Sequence, residues 1–190
     1  MENIKRCFWC TSNPLYIEYH DKEWGKPVYD DEKLFEMLLL ESFQAGLSWF
    51  TILQKRENFR LAFDNFNVTA IAAYSEDKEQ ELLQNHGIIK NKLKIKAAIS
   101  NAKAFMVIQN EFQSFSNYLW AFSKFQIIDN INITQQHFFV TTELSDTISK
   151  DLKKRGFKFL GSTTIYAYIQ AVGIVNDHTT DCFIRTNSQI

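Results

Sequence analysis

Apolar positions recur at helical spacing through most of the chain. One stripe places Glu41 at i+7 from Leu34 and i+3 from Leu38. A longer stripe at the same kind of spacing consists of Ile95, Ile99, Ala102 and Met106. Residues at these intervals share one face of a helix, so the pattern predicts an all-α protein with short connections.

Polar residues that favour helix N-termini predict where the helices begin. Asn13 followed by Pro14 indicates a short helix over 15–20, and Asp30 and Ser48 indicate the starts of the next two helices. Asn67 and Ser75 are expected to cap two short helices that end at residue 85. Further helices are predicted over 112–123, 147–155 and 163–172, whereas 126–142 is expected to be irregular or strand-like.

Length and composition narrow the class of protein. The 190 residues suit a single domain over 1–190, and 45% hydrophobic with 23% charged residues excludes a disordered chain. No apolar run approaches the roughly 18–20 residues that a membrane span needs. The first six residues carry charge without an apolar stretch, so no secretory signal is expected. These features predict a cytoplasmic protein without a membrane partner.

The charge is unevenly distributed, although the net charge is only −1. Residues 82–110 contain five lysines and no acidic residue, and residues 150–158 contain five basic residues against one aspartate. Such segments can form a basic face for phosphate on an acidic body, or they can be solvated helix faces.

Cysteine and histidine residues lie near both ends of the chain. Cys7 and His20 are close to the start, and His178 and Cys182 are four residues apart near the end. Structural zinc takes four N or S ligands, so these residues are candidate ligands. Cys10 forms a C-x2-C pair with Cys7 and is a competing ligand. All of them could also be ordinary buried residues.

Glu41 is a carboxylate on an otherwise apolar helix face. Burial of a carboxylate is costly unless it is hydrogen-bonded, so Glu41 is expected to cap a backbone group, to pair with a buried arginine, or to serve as a pocket carboxylate. The aromatic residues Tyr16, Tyr19 and Trp49 lie close to helix ends. Most aromatic residues are core, but an aromatic ring beside a carboxylate can hold a planar base.

A loop with Gly87 precedes the long helix, and Lys90, Lys92 and Lys94 follow it. Free backbone N–H groups and the positive end of the helix dipole suit a DNA phosphate. Alternate lysines cannot all point the same way on a helix, so only some of them are expected to contact DNA.

Several sequence motifs lie in the segments 13–25, 34–37, 40–41, 44–49, 55–58, 87–89, 153–159 and 175–178. Together these motifs resemble the 3-methyladenine DNA glycosylase I family. The resemblance covers almost the whole chain, with 126–142 as the least similar part.

The resemblance implies a fold and a set of site residues. The fold would be that of the helix-hairpin-helix DNA glycosylases, with this element at about 76–106. One structural zinc ion per chain would join the termini. The implied zinc ligands are Cys7, His20, His178 and Cys182, with Cys10 as an extra thiol. The implied base pocket consists of Glu41, as the catalytic residue, with Tyr19, Trp49 and nearby Tyr16. Gly46 and Leu47 would fill the space left by an extruded base.

The implied activity is hydrolytic excision of 3-methyladenine from double-stranded DNA that contains alkylated bases, by a monomer that does not cleave the strand. A protein that binds alkylated DNA without cutting it is the alternative. A zinc hydrolase would need an open coordination position, whereas two cysteines and two histidines close the tetrahedron.

Overall fold

A computed structural model describes residues 4–187. This part of the chain is mostly helical, as predicted. Its ten α-helices are α1 (Pro14–Lys22), α2 (Asp31–Gln44), α3 (Trp49–Ala62), α4 (Val68–Ala72), α5 (Glu76–Gln84), α6 (Lys92–Phe112), α7 (Phe115–Ala121), α8 (Glu143–Lys154), α9 (Ser162–Ala171) and α10 (Phe183–Asn187).

Helix α2 is the centre of the core. Every residue from Leu34 to Phe43 is buried, and α3, α6, α7 and α9 pack around it. A helix that is buried on all sides must be apolar nearly all round, which explains the run of leucines in α2. Asp31, the first residue of this helix, attaches it to α7, because its carboxylate accepts hydrogen bonds from the backbone N–H groups of Phe115 and Ser116.

The predicted helix caps are confirmed. The side chains of Asn13, Asp30, Ser48, Asn67 and Ser75 each accept a hydrogen bond from a backbone N–H group in the first turn that follows. These caps depend on residues close together in the chain, which is why the sequence locates them.

Two predicted helix starts differ from the structure by three or four residues. Helix α8 begins at Glu143, four residues before the predicted start, because Thr142 and Ser145 form a reciprocal capping box. Helix α7 begins at Phe115, since α6 runs to Phe112 and the left-handed Gln113 (φ 70°) ends it.

The segment 126–142 is irregular except for one short strand, as predicted. Strand β1 (Ile128–Asp129) pairs in parallel with β2 (Val175–Asn176). This pairing attaches the segment to the chain that leads to His178.

Within residues 4–187, no helix is long and apolar enough to cross a membrane. Of the six N-terminal residues considered for a secretory signal, 1–3 lie outside the described residues.

Candidate functional site

A cavity of about 350 Å³ lies beside the C-terminal end of α2 and the start of α3. Its wall is mostly aromatic and apolar, with a few polar groups. The lining residues are Phe8, Trp9, Tyr16, Tyr19, Trp24, Glu41, Gln44, Trp49, Ile133, Phe138, Phe139, Val140, Thr163, Tyr166, Ala167, Gln170 and Asp177. The structure thus brings together the four predicted pocket residues, although they come from three helices.

Glu41 is a buried carboxyl group in this wall. It is 3% exposed, and its Oε2 atom has no hydrogen-bond partner among the described residues. Burial raises the pKa of the carboxyl to about 8. The buried Arg56 binds Glu23 and Glu36 instead, so the arginine pairing considered from sequence is wrong. The structure leaves Oε2 available to a molecule in the cavity.

Trp49 supplies a second unsatisfied polar atom. Its indole Nε1 is buried and finds no acceptor in the described part of the chain. Trp49 is the first residue of α3, and Ser48 fixes the start of this helix by accepting from the Thr51 N–H. Leaving a buried donor unpaired costs about 1–3 kcal/mol. A bound heterocycle that supplied an acceptor would recover this free energy.

Two tyrosines complete the predicted pocket. The Tyr19 ring lies 5.4 Å from the Trp49 ring, centroid to centroid, and the Tyr16 ring lies 5.1 Å from Phe50. Burial, and then the nearby Glu41, raises the pKa of the Tyr19 hydroxyl well above its ordinary value. Tyr19 is therefore a neutral hydroxyl beside the Glu41 carboxyl.

The predicted pocket did not include the other residues of the cavity wall, among them Trp9, Trp24 and Gln44. Trp9 and Trp24 contact each other edge to face, with ring centroids 4.9 Å apart. Gln44 lies three residues after Glu41, about one turn along α2. This i+3 spacing was the available signal for Gln44, whereas Trp9 had only its position between Cys7 and Cys10.

A second carboxylate in the wall, Asp177, is hydrogen-bonded through both of its oxygens. Its oxygens accept from the Tyr166 hydroxyl at 2.6 Å, from Gln170 Nε2 at 2.6 Å and from Asn130 Nδ2 at 2.7 Å. Asp177 thereby joins α9 to the residue that follows β1. Both oxygens of Asp177 thus have partners within the protein, whereas Glu41 Oε2 has none among the described residues.

Cys7, His20, His178 and Cys182 form one buried cluster. Their ligand atoms all lie within 4.8 Å of one another. Three separations between Sγ and imidazole nitrogen are 3.5 Å, from His178 Nδ1 to both cysteines and from His20 Nε2 to Cys182. Tetrahedral zinc bound to S and N atoms would give edges of about 3.3–3.8 Å. The donor set and its spacing therefore fit a zinc ion.

The surroundings of the cluster prepare its ligands for a metal. His20 Nδ1 contacts the Asp21 carboxylate at 2.8 Å, and Arg6 holds that carboxylate with two nitrogens. A carboxylate on the distal imidazole nitrogen orients metal-ligating histidines in many proteins. The hydrogen bond between the two thiols lowers the pKa of Cys182 far below its ordinary value and raises the pKa of Cys7, and the two imidazoles add to the effect on Cys182. A thiolate is the form of cysteine that binds metals.

Cys10 lies outside the cluster. Its Sγ atom is 3.7 Å from the carbonyl oxygens of Thr11 and Tyr16. The competing ligand considered from the C-x2-C spacing is therefore not placed with the other four.

The cluster also supports the cavity wall. The Trp24 ring contacts His178 edge to face at 4.7 Å, and Trp9 contacts His20 at 5.3 Å, centroid to centroid. Both tryptophans line the cavity, so the positions of the two imidazoles bear directly on its shape.

The residues predicted to contact DNA lie in two places. Gly46 and Leu47 form an exposed turn after α2, where Gly46 has a φ of 81° and Leu47 is 41% exposed. Gly87 lies in the loop 85–91 between α5 and α6, followed by the exposed Lys90 and Lys92. A Cβ atom at Gly87 would lie 3.0 Å from the side chains of Asn58 and Asn85, so a larger residue there would require these side chains to shift.

The structure contradicts the prediction that Lys94 contacts DNA. Lys94 is 6% exposed, and its ammonium donates to the carbonyl oxygens of Phe43 at 2.8 Å and Ala45 at 2.6 Å. Because these bonds occupy Lys94 in the interior, it is not presented to a phosphate. The alternating lysine pattern could not reveal this, since the acceptors come from a distant helix.

Comparisons with known proteins agree with this architecture. The family model described as methyladenine glycosylase matches residues 9–185. The DNA-3-methyladenine glycosylase 1 of Escherichia coli is 45% identical over 179 residues, which is 94% of this chain and 96% of that protein. The DNA-3-methyladenine glycosylase of Haemophilus influenzae is 43% identical over 182 residues, covering 96% and 98% of the two chains.

Solved structures give the same result. A crystal structure of 3-methyladenine DNA glycosylase I matches with a TM-score of 0.92 at 48% identity, over 94% of this chain and 98% of that chain. A structure of the Staphylococcus aureus enzyme, described as the basis of 3-methyladenine recognition, matches with a TM-score of 0.91 at 34% identity, over 94% and 95%. The chain therefore belongs to the methyladenine glycosylase family.

Proposed function

We propose that this protein excises 3-methyladenine from alkylated double-stranded DNA by hydrolysis of the N-glycosidic bond. The observation that carries the proposal is a pair of buried polar atoms in one aromatic cavity, Glu41 Oε2 and Trp49 Nε1, which have no hydrogen-bond partner among residues 4–187. Membership of the family and the names of the relatives support the same substrate.

The cavity suits a base that has left the duplex. A base inside the stack is out of reach of a buried carboxyl group, so the nucleotide must rotate out of the helix. Tyr16, Tyr19 and Trp49 offer aromatic surfaces against which a base can stack, and Glu41 offers a polar atom for the edge of the base. The shape and the polarity of the cavity are thus both matched to a planar heterocycle.

Glu41 is suited to a cationic base. In the free protein its raised pKa keeps the carboxyl largely protonated near neutral pH. An adjacent positive charge favours the ionised form, so a base alkylated at N3 would promote loss of this proton. The resulting carboxylate would bind the cationic lesion more strongly than neutral adenine.

The bond to be broken is already weakened by the charge on the base. The bonding electrons pass to the base, which leaves as a neutral molecule while positive charge develops on the sugar. Water then adds to the sugar carbon and loses a proton. Among the described residues that line the cavity none is a lysine, which supports a monofunctional reaction without strand cleavage.

The Cys7, His20, His178 and Cys182 cluster would hold one structural zinc ion. Four protein ligands close the tetrahedron, so the ion would supply a cross-link between the ends of the chain. The residues of the cluster would then keep Trp9 and Trp24 in the cavity wall.

The duplex would be held by the loop 85–91 and the start of α6, acting as the helix-hairpin-helix element. The exposed Lys90 and Lys92 would meet phosphates, and Leu47 would enter the space left by the extruded base. We expect one monomer per lesion. The predicted cytoplasmic location belongs to the same proposal, because such an enzyme must reach chromosomal DNA.

The test is chromatography of the bases released from methylated duplex DNA. Wild-type protein is expected to release 3-methyladenine. Glu41→Gln is the matched variant, because it keeps the shape of the side chain but cannot ionise beside the cationic base. It is expected to release less 3-methyladenine. Borohydride should trap no covalent complex, and the strand should remain intact. Binding of methylated DNA without release of any base would show a non-catalytic binding protein instead.

A further inference from the structure

Lys94 is a buried lysine whose ammonium ends at the backbone of another helix. It lies in the first turn of α6, and its two acceptors are the carbonyls of Phe43 and Ala45 at the end of α2. Burial lowers the pKa of this ammonium. The cost of removing the charge from water is offset by two short, charge-assisted hydrogen bonds.

The location of Lys94 is unfavourable for α6 itself. A cation in the first turn of a helix lies near the positive end of the helix dipole. The ammonium instead reaches the negative end of α2, where the last carbonyls have no partner within the helix. Lys94 therefore stabilises the contact between α2 and α6, and it does not stabilise α6 itself.

The turn that receives the ammonium carries the exposed Leu47. The Leu47 N–H donates to the Gln44 carbonyl, and Gly46 has a positive φ of 81°. The carbonyl of Ala45 belongs to the peptide unit that leads into Gly46. The hydrogen bond from Lys94 thus fixes the orientation of this turn, whereas Glu41 is held one turn earlier inside α2.

The other end of Lys94 is attached to the loop 85–91. Its backbone N–H donates to Asn91 Oδ1 at 3.1 Å, and Asn91 caps α6. One residue therefore connects the loop, through its backbone, with the 44–47 turn, through its side chain.

We propose that Lys94 is a positioning residue for base excision. It holds the 44–47 turn at a fixed place relative to the loop 85–91, so that Leu47 enters the duplex where the loop holds the phosphates. This inference rests on the proposed function, since it needs a flipped nucleotide and a space to fill.

The test compares Lys94→Met with two variants on the same helix, Lys92→Met and the exposed Lys103→Met. Each protein is measured for single-turnover excision at saturating enzyme, for affinity to undamaged duplex and for affinity to free 3-methyladenine. Lys94→Met is expected to slow excision by about 10- to 100-fold, because small displacements of positioning groups have effects of this size. Its affinity for the free base should stay within about twofold, because the helix itself holds Glu41. Lys103→Met should match wild type in all three measurements.

A double-mutant cycle tests whether Lys94 acts through the turn. The effects of Leu47→Ala and Lys94→Met on the excision rate should be non-additive. The double variant should be no slower than the slower single variant. Lys94→Arg keeps the cation and the donors, so it should fold even if Lys94→Met does not. Its longer side chain should displace the turn and slow excision severalfold at unchanged affinity for the free base.

The result that would overturn the inference is excision at the wild-type rate by folded Lys94→Met or Lys94→Arg. Loss of duplex affinity by Lys94→Met to the same degree as by Lys92→Met would also overturn it, because it would assign Lys94 to phosphate. Failure of wild-type protein to release any base would instead reject the proposed function.

Discussion

The backbone of Gly25 lies against the imidazole ring of His178. A Cβ atom at position 25 would be 2.9 Å from His178 Nε2, and Gly25 has a positive φ of 78°. The glycine is therefore required both by the backbone conformation and by the ring, which belongs to the Cys/His cluster and contacts Trp24.

The first prediction follows from this contact. Gly25→Ala should displace His178 and reduce the zinc content below one ion per chain, with a lower melting temperature. Gly156→Ala is the matched control, because Gly156 also has a positive φ but nothing lies within 4 Å of its Cβ position. The free energy of unfolding should fall by about 1–2 kcal/mol in both variants, because alanine is strained in the left-handed conformation. Only Gly25→Ala should lose metal. Equal zinc content in the two variants would contradict this prediction.

The second prediction concerns the cysteines. Purified protein should contain one zinc ion per chain by elemental analysis, and Cys182→Ala should lose the metal and much of the stability. Cys10→Ala should retain both, because Cys10 lies outside the cluster. Metal loss in Cys10→Ala would reassign a ligand, and full zinc in Cys182→Ala would reject the cluster as the site.

The third prediction is a pH dependence of stability caused by Glu41. Its pKa is raised from 4.5 to about 8 in the folded protein, so between these values the folded state keeps a proton that the unfolded state loses. The contribution of Glu41 to the free energy of unfolding is therefore fully present below pH 4.5 and is lost as the pH rises through about 8. The loss amounts to about 1.4 kcal/mol per pH unit.

Glu41→Gln removes this titration. Its stability relative to wild type, measured by urea unfolding, should increase steadily from about pH 5 to about pH 8. The control Glu32→Gln changes an exposed carboxylate on the same helix and should show no such trend. A difference between Glu41→Gln and wild type that does not vary with pH would mean that Glu41 is ionised in the free protein.

The fourth prediction separates DNA affinity from base recognition. Lys92→Met should weaken binding to damaged and undamaged duplexes alike, and the slope of log affinity against log salt should fall by about 1. Trp49→Ala should leave affinity for undamaged duplex unchanged while it loses about 1–3 kcal/mol of base stacking, measured with free 3-methyladenine. If Trp49→Ala loses duplex affinity in proportion to its activity, the assignment of Trp49 to the base is wrong.

The sequence predicts those features whose causes are local. The caps at Asp30 and Ser48 depend on the residues that follow within one turn, and the apolar face of α2 that includes Glu41 depends on helical spacing. Lys94 shows the limit of such reasoning, because its burial depends on two carbonyls about fifty residues earlier in the chain. The sequence-based prediction for the start of α8 is four residues too late, because the capping box of Thr142 and Ser145 begins the helix at Glu143.

Some residues of the cavity wall can likewise be predicted from local sequence, whereas others depend on the tertiary fold. Tyr19 and Trp49 could be selected because they lie at helix ends near a carboxylate. Trp9 could not, since its place in the wall depends on the packing of the N-terminal segment against His20 and Trp24. The four residues of the Cys/His cluster come from both ends of the chain, and their approach depends on the whole fold.

The Cys/His cluster also determines how the molecule would respond to a pulling force. With an ion bound, Cys7 and Cys182 become two points of one covalent and coordinate ring that encloses nearly all the helices. Tension applied between the ends of the chain would load the metal–ligand bonds before it reached α2 or the apolar core. An unfolding machine that engages either end would therefore have to open the cluster before it could unfold α1 to α9, so bound zinc should set the mechanical resistance of this part of the protein.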